Sequence, residues 1–185
     1  MLESTFKKNA KEMCKILENA YLKKTKSGDK MDHSNLKHVI DFLYFKAKET
    51  YNVDDEGVGR GKGDLDFIFY PKDKMKPLII MELKLNSTAK NALEQIYDNE
   101  YYSGLKEEGY KGTYLFIGLN LNPKQKLYSC IINECDCDIN LISEDKHIPP
   151  KSEKRNKNDI ESDVIAKRLR SDNKKNTNFT DKKIK

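Results

Sequence analysis

Two apolar segments constrain the fold of this chain more than any other feature of its sequence. Residues 65–70 (LDFIFY) and residues 78–85 (LIIMELKL) are apolar at most positions. They lack the strict alternation of apolar and polar residues that is typical of a strand with one solvent-exposed face. Strands in the middle of a sheet have this pattern when other elements cover both faces of the sheet. The sequence therefore predicts two central strands of an α/β protein.

The spacing of the remaining apolar residues predicts the elements around these strands. Intervals of three and four residues indicate amphipathic helices, and shorter apolar runs indicate strands. The predicted helices cover residues 2–22, 35–49 and 87–102, and the additional strands cover residues 50–54, 112–121 and 126–133. The order α-α-β-β-β-α-β-β predicts a sheet with helices packed on it.

The charge of the chain is unevenly distributed. The net charge of +5 comes from 35 Lys and Arg against 30 Asp and Glu. Residues 151–185 hold 12 of the basic and 6 of the acidic side chains, so residues 1–150 carry 23 basic and 24 acidic ones. We predict a folded domain over residues 1–150 and a disordered, Lys/Asn-rich basic tail over residues 151–185. Residues 166–172 (AKRLRSD) resemble a short nuclear-import signal, which would make the protein nuclear.

Hydropathy and cysteine content exclude two further classes. No apolar run approaches the ~18–20 residues that cross a bilayer, so no membrane partner is expected. The N-terminal segment lacks the apolar core of a signal peptide, which predicts an intracellular protein with free thiols and no disulfides. Three cysteines and a histidine leave a zinc site as a weaker alternative: Cys130, Cys135, Cys137 and His147.

Acidic residues interrupt the two central strands where a hairpin would bring them together. If the numbers of paired residues sum to 148, Asp66 lies opposite Glu82 and Asp64 lies opposite Lys84. Alternate side chains of a strand share a face, so these four charges would converge on one patch. Buried charges are costly unless they are paired or bind a metal. The patch is predicted to hold a hard cation such as Mg²⁺ or, alternatively, to be a structural ion pair.

The tripeptide Glu/Asp-x-Lys has little specificity by itself. It occurs four times, beginning at Glu82, Glu144, Asp172 and Asp181. Only the copy at Glu82 ends an apolar strand that follows an acidic strand start at hairpin distance. The surrounding pattern, and not the tripeptide, therefore selects Glu82 and Lys84 as candidate site residues.

Around these residues the chain resembles the PD-(D/E)XK nuclease superfamily, particularly its branch often found beside AAA-ATPase-like domains. In that branch a Gly-rich stretch leads to a strand aspartate, an apolar strand ends in Glu-x-Lys, and a helix follows with an Ala-Leu-x-Gln-Ile signature and a later Tyr. Asp66 matches the aspartate, and Glu82 and Lys84 match the Glu-x-Lys pair. The helix signature is matched by Ala92, Leu93, Gln95, Ile96 and Tyr101.

The resemblance implies a restriction-endonuclease-like fold, with a mixed central sheet flanked by helices, and metal-dependent hydrolysis of phosphodiester bonds in DNA or RNA. It implies that Asp66 and Glu82 bind Mg²⁺ or Mn²⁺. Lys84 would position the attacking water or stabilise charge on the phosphate, and Gln95 would support the site or contact the substrate. It also implies an ATPase-linked partner.

The match is incomplete on the first core helix, where the superfamily commonly supplies another acidic residue. Residues 34–38 (SNLKH) contain none. Asp41, Glu49 and Glu56 are the substitutes, and the sequence does not rank them. Loss of this ligand would weaken or abolish catalysis. Two alternatives to an active nuclease therefore stay open. One is a degenerate nuclease-fold module that binds nucleic acid or protein, and the other is an α/β interaction domain whose Glu82 and Lys84 form only an ion pair.

Two further features of the segment enter the prediction. Asp64 stands where this branch more often has arginine, which removes a positive charge near the expected phosphate. His33 and His38 flank the start of the second predicted helix. No serine or cysteine nucleophile signature accompanies them, so they are interpreted as surface or capping residues.

Overall fold

The computed structural model describes residues 1–24, 31–54, 65–104 and 110–150, and Met1–Pro149 form one compact unit. The predicted tail over residues 151–185 lies outside the described residues, as do Glu56 and Asp64. The described helices are α1 (Leu2–Phe6), α2 (Ala10–Lys24), α3 (His33–Leu43) and α4 (Ala89–Asp98), with a 3₁₀ helix at Phe45–Glu49. None of these helices is long and apolar enough to cross a membrane.

The chain breaks the first predicted helix into α1 and α2. The prediction of one continuous helix over residues 2–22 was therefore wrong. Lys8 has a φ of 51°, in the left-handed region that helices avoid. The Asn9 side chain then caps the next helix, because its Oδ1 accepts a hydrogen bond from the Glu12 amide at 2.9 Å.

Side-chain caps also fix where α3 and α4 begin. Asp32 caps α3 by accepting a hydrogen bond from the Asn35 amide at 2.8 Å, so this helix begins at His33, two residues before the predicted start. Thr88 caps α4 in the same way, with the Asn91 amide at 3.0 Å. Both helices end in turns before their predicted ends.

The strands form one mixed sheet in sequence order. They are β1 (Tyr51–Asp54), β2 (Phe67–Pro71), β3 (Leu78–Leu85), β4 (Tyr114–Asn122), β5 (Leu127–Cys135) and β6 (Leu141–His147). β3 and β4 are parallel, with α4 as the crossover between them, and the other neighbouring strands are antiparallel. The sequence pattern did not indicate β6, because this edge strand is largely polar and exposed.

The β2–β3 register confirms the predicted hairpin. Phe67 pairs with Met81, Ile68 with Ile80, and Phe69 with Ile79, so the paired numbers sum to 148. The prediction that β3 is covered on both faces is also confirmed. Its residues divide between two cores, with Ile79, Met81 and Leu83 in the core that includes α2 and α3, and Leu78 and Ile80 in the core that includes α4.

A glycine in β4 lets α4 approach the sheet closely. Gly118 pairs with Glu82 across the β3–β4 ladder. A Cβ atom at residue 118 would lie 2.2 Å from the Ala89 carbonyl oxygen and 2.6 Å from the Leu93 amide nitrogen. Both are backbone atoms of α4, so only glycine fits without moving the helix. This contact sets the height of α4 above the residues at the end of β3.

Candidate functional site

The register of β2 and β3 brings Asp66 beside the end of β3. Asp66 directly precedes β2, and its Oδ2 accepts a hydrogen bond from the Leu83 amide at 2.8 Å. The carboxylates of Asp66 and Glu82 influence each other electrostatically, and the residues are only 7% and 3% exposed. Two acidic residues are therefore buried next to each other, which is costly unless cations compensate for their charge.

Lys84 and Gln95 connect Glu82 to α4. The Lys84 ammonium donates to Glu82 Oε1 at 2.9 Å and also donates to Gln95 Oε1. Gln95 is held in turn, because its Nε2 donates to the Tyr101 hydroxyl at 3.1 Å. The Asn99 side-chain amide donates to the same hydroxyl at 2.7 Å. The structure thus places Glu82, Lys84 and Gln95 in one polar chain that orients the lysine ammonium.

The second oxygen of Glu82 has no such support. Within the described part of the chain, Glu82 Oε2 is buried without a hydrogen-bond partner. Burial and the nearby Asp66 carboxylate raise the pKa of Glu82, whereas the Lys84 ammonium and the Asp66 backbone amide lower it, and together they leave this pKa at about 7. An unsatisfied buried carboxylate oxygen costs free energy in the absence of a partner. A proton or a metal ion would remove that cost.

Two residues of α3 also reach the site, and the sequence interpretation missed them. The His33 Nε2 lies 3.5 Å from Asp66 Oδ2 and 3.4 Å from the Leu83 carbonyl oxygen. The Lys37 ammonium lies 3.6 Å from Asp66 Oδ1. Their separation of four residues puts both on one side of the helix. That spacing was the signal available in the sequence, but it did not indicate which strand the helix covers.

Two carboxylates of this site could hold a divalent cation. Asp66 and Glu82 supply oxygen ligands, and the unpartnered Glu82 Oε2 suits a hard ion that keeps several waters. In the described ranges, no group of three or more His, Cys, Asp or Glu side chains is arranged to hold a metal. Of the substitutes for the helix carboxylate, Asp41 pairs with Lys48 at 2.7 Å, and Glu56 lies outside the described residues.

The cysteines do not assemble into the alternative zinc site. All four are free thiols. Cys130 belongs to the core on the α2 and α3 face, whereas Cys135 belongs to the core on the α4 face. The sheet therefore separates two of the four ligands that a zinc ion would need.

Comparisons with protein-family models, with curated proteins and with solved structures found no match to this chain. The residues of the site and their geometry therefore carry the proposal below.

Proposed function

We propose that this protein is a metal-dependent nuclease that hydrolyses phosphodiester bonds in DNA or RNA. The observation that carries the proposal is the buried, unpartnered Glu82 Oε2 beside Asp66, at the same strand end as a lysine held by Gln95. A structural ion pair would not require an unsatisfied carboxylate oxygen in a buried position. A site that takes up a cation would have this arrangement.

The topology supports the same proposal. Three antiparallel strands lead through α4 to β4, which lies parallel to β3, and helices cover both faces. This mixed sheet agrees with the restriction-endonuclease-like fold that the resemblance to the PD-(D/E)XK superfamily implies. In such an arrangement Asp66 and Glu82 would hold Mg²⁺ or Mn²⁺. The bound ion would lower the pKa of a coordinated water and neutralise charge on the phosphate.

The remaining residues of the site would orient the reacting groups. In hydrolysis, a water oxygen attacks phosphorus, the bond from phosphorus to the leaving sugar oxygen breaks, and that oxygen takes up a proton. Lys84 can place its ammonium charge beside the water or the phosphate, where negative charge accumulates in the transition state. Gln95 and Tyr101 restrict the position of this ammonium through the hydrogen bonds described above. Gln95 is therefore proposed as a positioning residue for Lys84.

A cleavage assay tests the proposal. Single- and double-stranded DNA and RNA are incubated with the full chain in Mg²⁺, in Mn²⁺ and in EDTA. We expect cleavage that needs the metal and that falls about 100-fold or more in Glu82→Gln and Asp66→Asn. Glu144→Gln should retain full activity, because it changes an exposed carboxylate in the Glu-x-Lys copy of the edge strand β6. Circular dichroism verifies that each variant is folded.

The absence of metal-dependent cleavage beyond that of Glu82→Gln would contradict catalysis and favour the second candidate. This is a degenerate module with the same fold, which binds nucleic acid or protein without hydrolysis. Lys37 favours it, because a protein cation already faces Asp66, and the described residues include no third carboxylate at the site. An ATPase-linked partner and nuclear import through the tail stay predictions from the sequence.

A further inference from the structure

Each buried carboxylate of the site faces a lysine from a different element. Lys84, in β3, contacts Glu82 at 2.9 Å, and Lys37, in α3, lies 3.6 Å from Asp66. The Lys37 ammonium also lies 5.6 Å from the centre of the Phe67 ring, within the range of a cation–π contact. Two ammonium groups therefore lie against the two carboxylates in the protein without metal.

A divalent cation at Asp66 would disturb this arrangement at Lys37. An ammonium group within a few ångströms of the same carboxylate would be strongly repelled by a doubly charged ion. Lys37 is partly exposed, and the lysine side chain is long and flexible, so the ammonium can move without displacing the helix. A phosphate group that the same cation attracts would offer the displaced ammonium an anion.

The charge of the folded domain makes this exchange significant. Residues 1–150 carry 23 basic and 24 acidic side chains, so the domain has no overall excess of positive charge. Without metal, a polyanion that approaches the site meets two carboxylates, and the two lysines are already paired with them. Once a cation binds Asp66, the site gains two positive charges and releases one ammonium. The affinity of this site for a phosphodiester should therefore rise when metal is bound.

We propose that Lys37 is a metal-gated phosphate ligand, which neutralises Asp66 in the metal-free protein and transfers to a phosphate of the nucleic acid when Mg²⁺ binds. This inference rests on the proposed function, because it takes Asp66 as a metal ligand. It assigns two opposite effects to one side chain: Lys37 competes with the metal and assists the nucleic acid. A lysine with a purely structural role would not produce that combination.

The test measures Mg²⁺ and oligonucleotide binding by the full chain. Calorimetry gives the Kd of Mg²⁺. Fluorescence anisotropy gives the Kd of a labelled 20-nucleotide single-stranded DNA in Mg²⁺ and in EDTA, in a Lys84→Met background that prevents cleavage. We expect Lys37→Met to bind Mg²⁺ about fivefold more tightly and the DNA about fivefold or more weakly in Mg²⁺, with no change in EDTA. Lys37→Arg should keep the metal-dependent gain in DNA affinity.

Lys146→Met is the matched control, because Lys146 pairs with the exposed Glu144 in the edge strand β6. It should change neither Kd. Unchanged or weaker Mg²⁺ binding in Lys37→Met would overturn the inference, and so would a loss of DNA affinity that is equal in Mg²⁺ and EDTA. Cleavage by the wild-type chain together with either result removes this inference alone. A wild-type chain that binds no Mg²⁺ removes the proposed function as well.

Discussion

Two copies of the same tripeptide lie in two strands of the sheet and differ in almost everything except their internal contact. In β3, Lys84 donates to Glu82 Oε1 at 2.9 Å, and in β6, Lys146 donates to Glu144 Oε1 at 3.0 Å. The Glu82 side chain is 4% exposed and that of Glu144 is 37% exposed. The spacing of the tripeptide therefore produces the lysine–glutamate contact in both strands, whatever the surroundings.

The surroundings determine what that contact can do. β3 is central, so Glu82 is buried near Asp66, and Lys84 is held from the side by Gln95 of α4. β6 pairs with β5 at the end of the described sheet, where water solvates both partners. Exposed ion pairs contribute about 0–1 kcal/mol to stability, and they leave their carboxylates with ordinary behaviour. Position in the sheet, and not the tripeptide, separates a candidate site from a surface ion pair.

Displacing α4 should remove part of this difference and have the largest effect on stability. Gly118→Ala would place a methyl group 2.2 Å from the Ala89 carbonyl oxygen, so the helix must move away from β3 and β4. We expect a loss of about 3 kcal/mol in the free energy of unfolding, measured with urea. Gln95 should then release Lys84, and any metal-dependent cleavage should fall with it. A change of less than about 1 kcal/mol would contradict the close packing of α4.

The sequence was sufficient to predict the centre of the fold. β2 and β3 are apolar on both faces, and the structure confirms the hairpin register that was assumed for them, which places Asp66 beside the end of β3. The edge was not predictable in the same way. β6 has the sequence LISEDKH, whose mixture of charges and exposed apolar residues gives no strand pattern. An edge strand is stabilised by pairing with its neighbour, here β5, and the periodicity of its own residues does not report that pairing.

The candidate site was predictable only where its residues belong to one pattern. Glu82 and Lys84 follow from strand alternation, and Gln95 followed from the resemblance of the α4 segment to a known helix signature. His33 and Lys37 were not found, because their proximity to Asp66 depends on how α3 packs across the sheet. The raised pKa of Glu82 was likewise inaccessible, since it results from burial beside a second carboxylate.

The pH dependence of stability should separate the two glutamates next. The pKa of Glu82 is raised to about 7 by burial, so the folded protein retains a proton that the unfolded chain loses above its ordinary pKa of 4.5. Between these values the native state binds more protons, and its stability falls as the pH rises. We expect Glu82 to contribute a loss of about 1–3 kcal/mol between pH 5 and pH 7.5, measured by urea unfolding at each pH.

Glutamine at either position provides the comparison. Glu82→Gln removes the titrating group. Its free energy of unfolding should therefore rise relative to that of the wild-type protein as the pH increases to 7.5. Glu144→Gln should follow the wild-type curve, because it leaves Glu82 in place. Parallel curves for the wild-type protein and Glu82→Gln would mean that Glu82 is ionised as readily in the folded as in the unfolded state. Its buried position would then have to be compensated by a cation.

Removing the lysines should give the smallest effect and the most direct comparison of the two ion pairs. At pH 8, Lys84→Met leaves a buried Glu82 carboxylate without its ammonium, and we expect a loss of about 1–2 kcal/mol. Lys146→Met should change stability by less than about 0.5 kcal/mol, because water replaces the lost partner. At pH 5.5 the cost of Lys84→Met should shrink, since the raised pKa keeps Glu82 protonated. Equal effects of the two substitutions at pH 8 would show that burial does not distinguish the copies, and the case for a site at β3 would then depend on Asp66 alone.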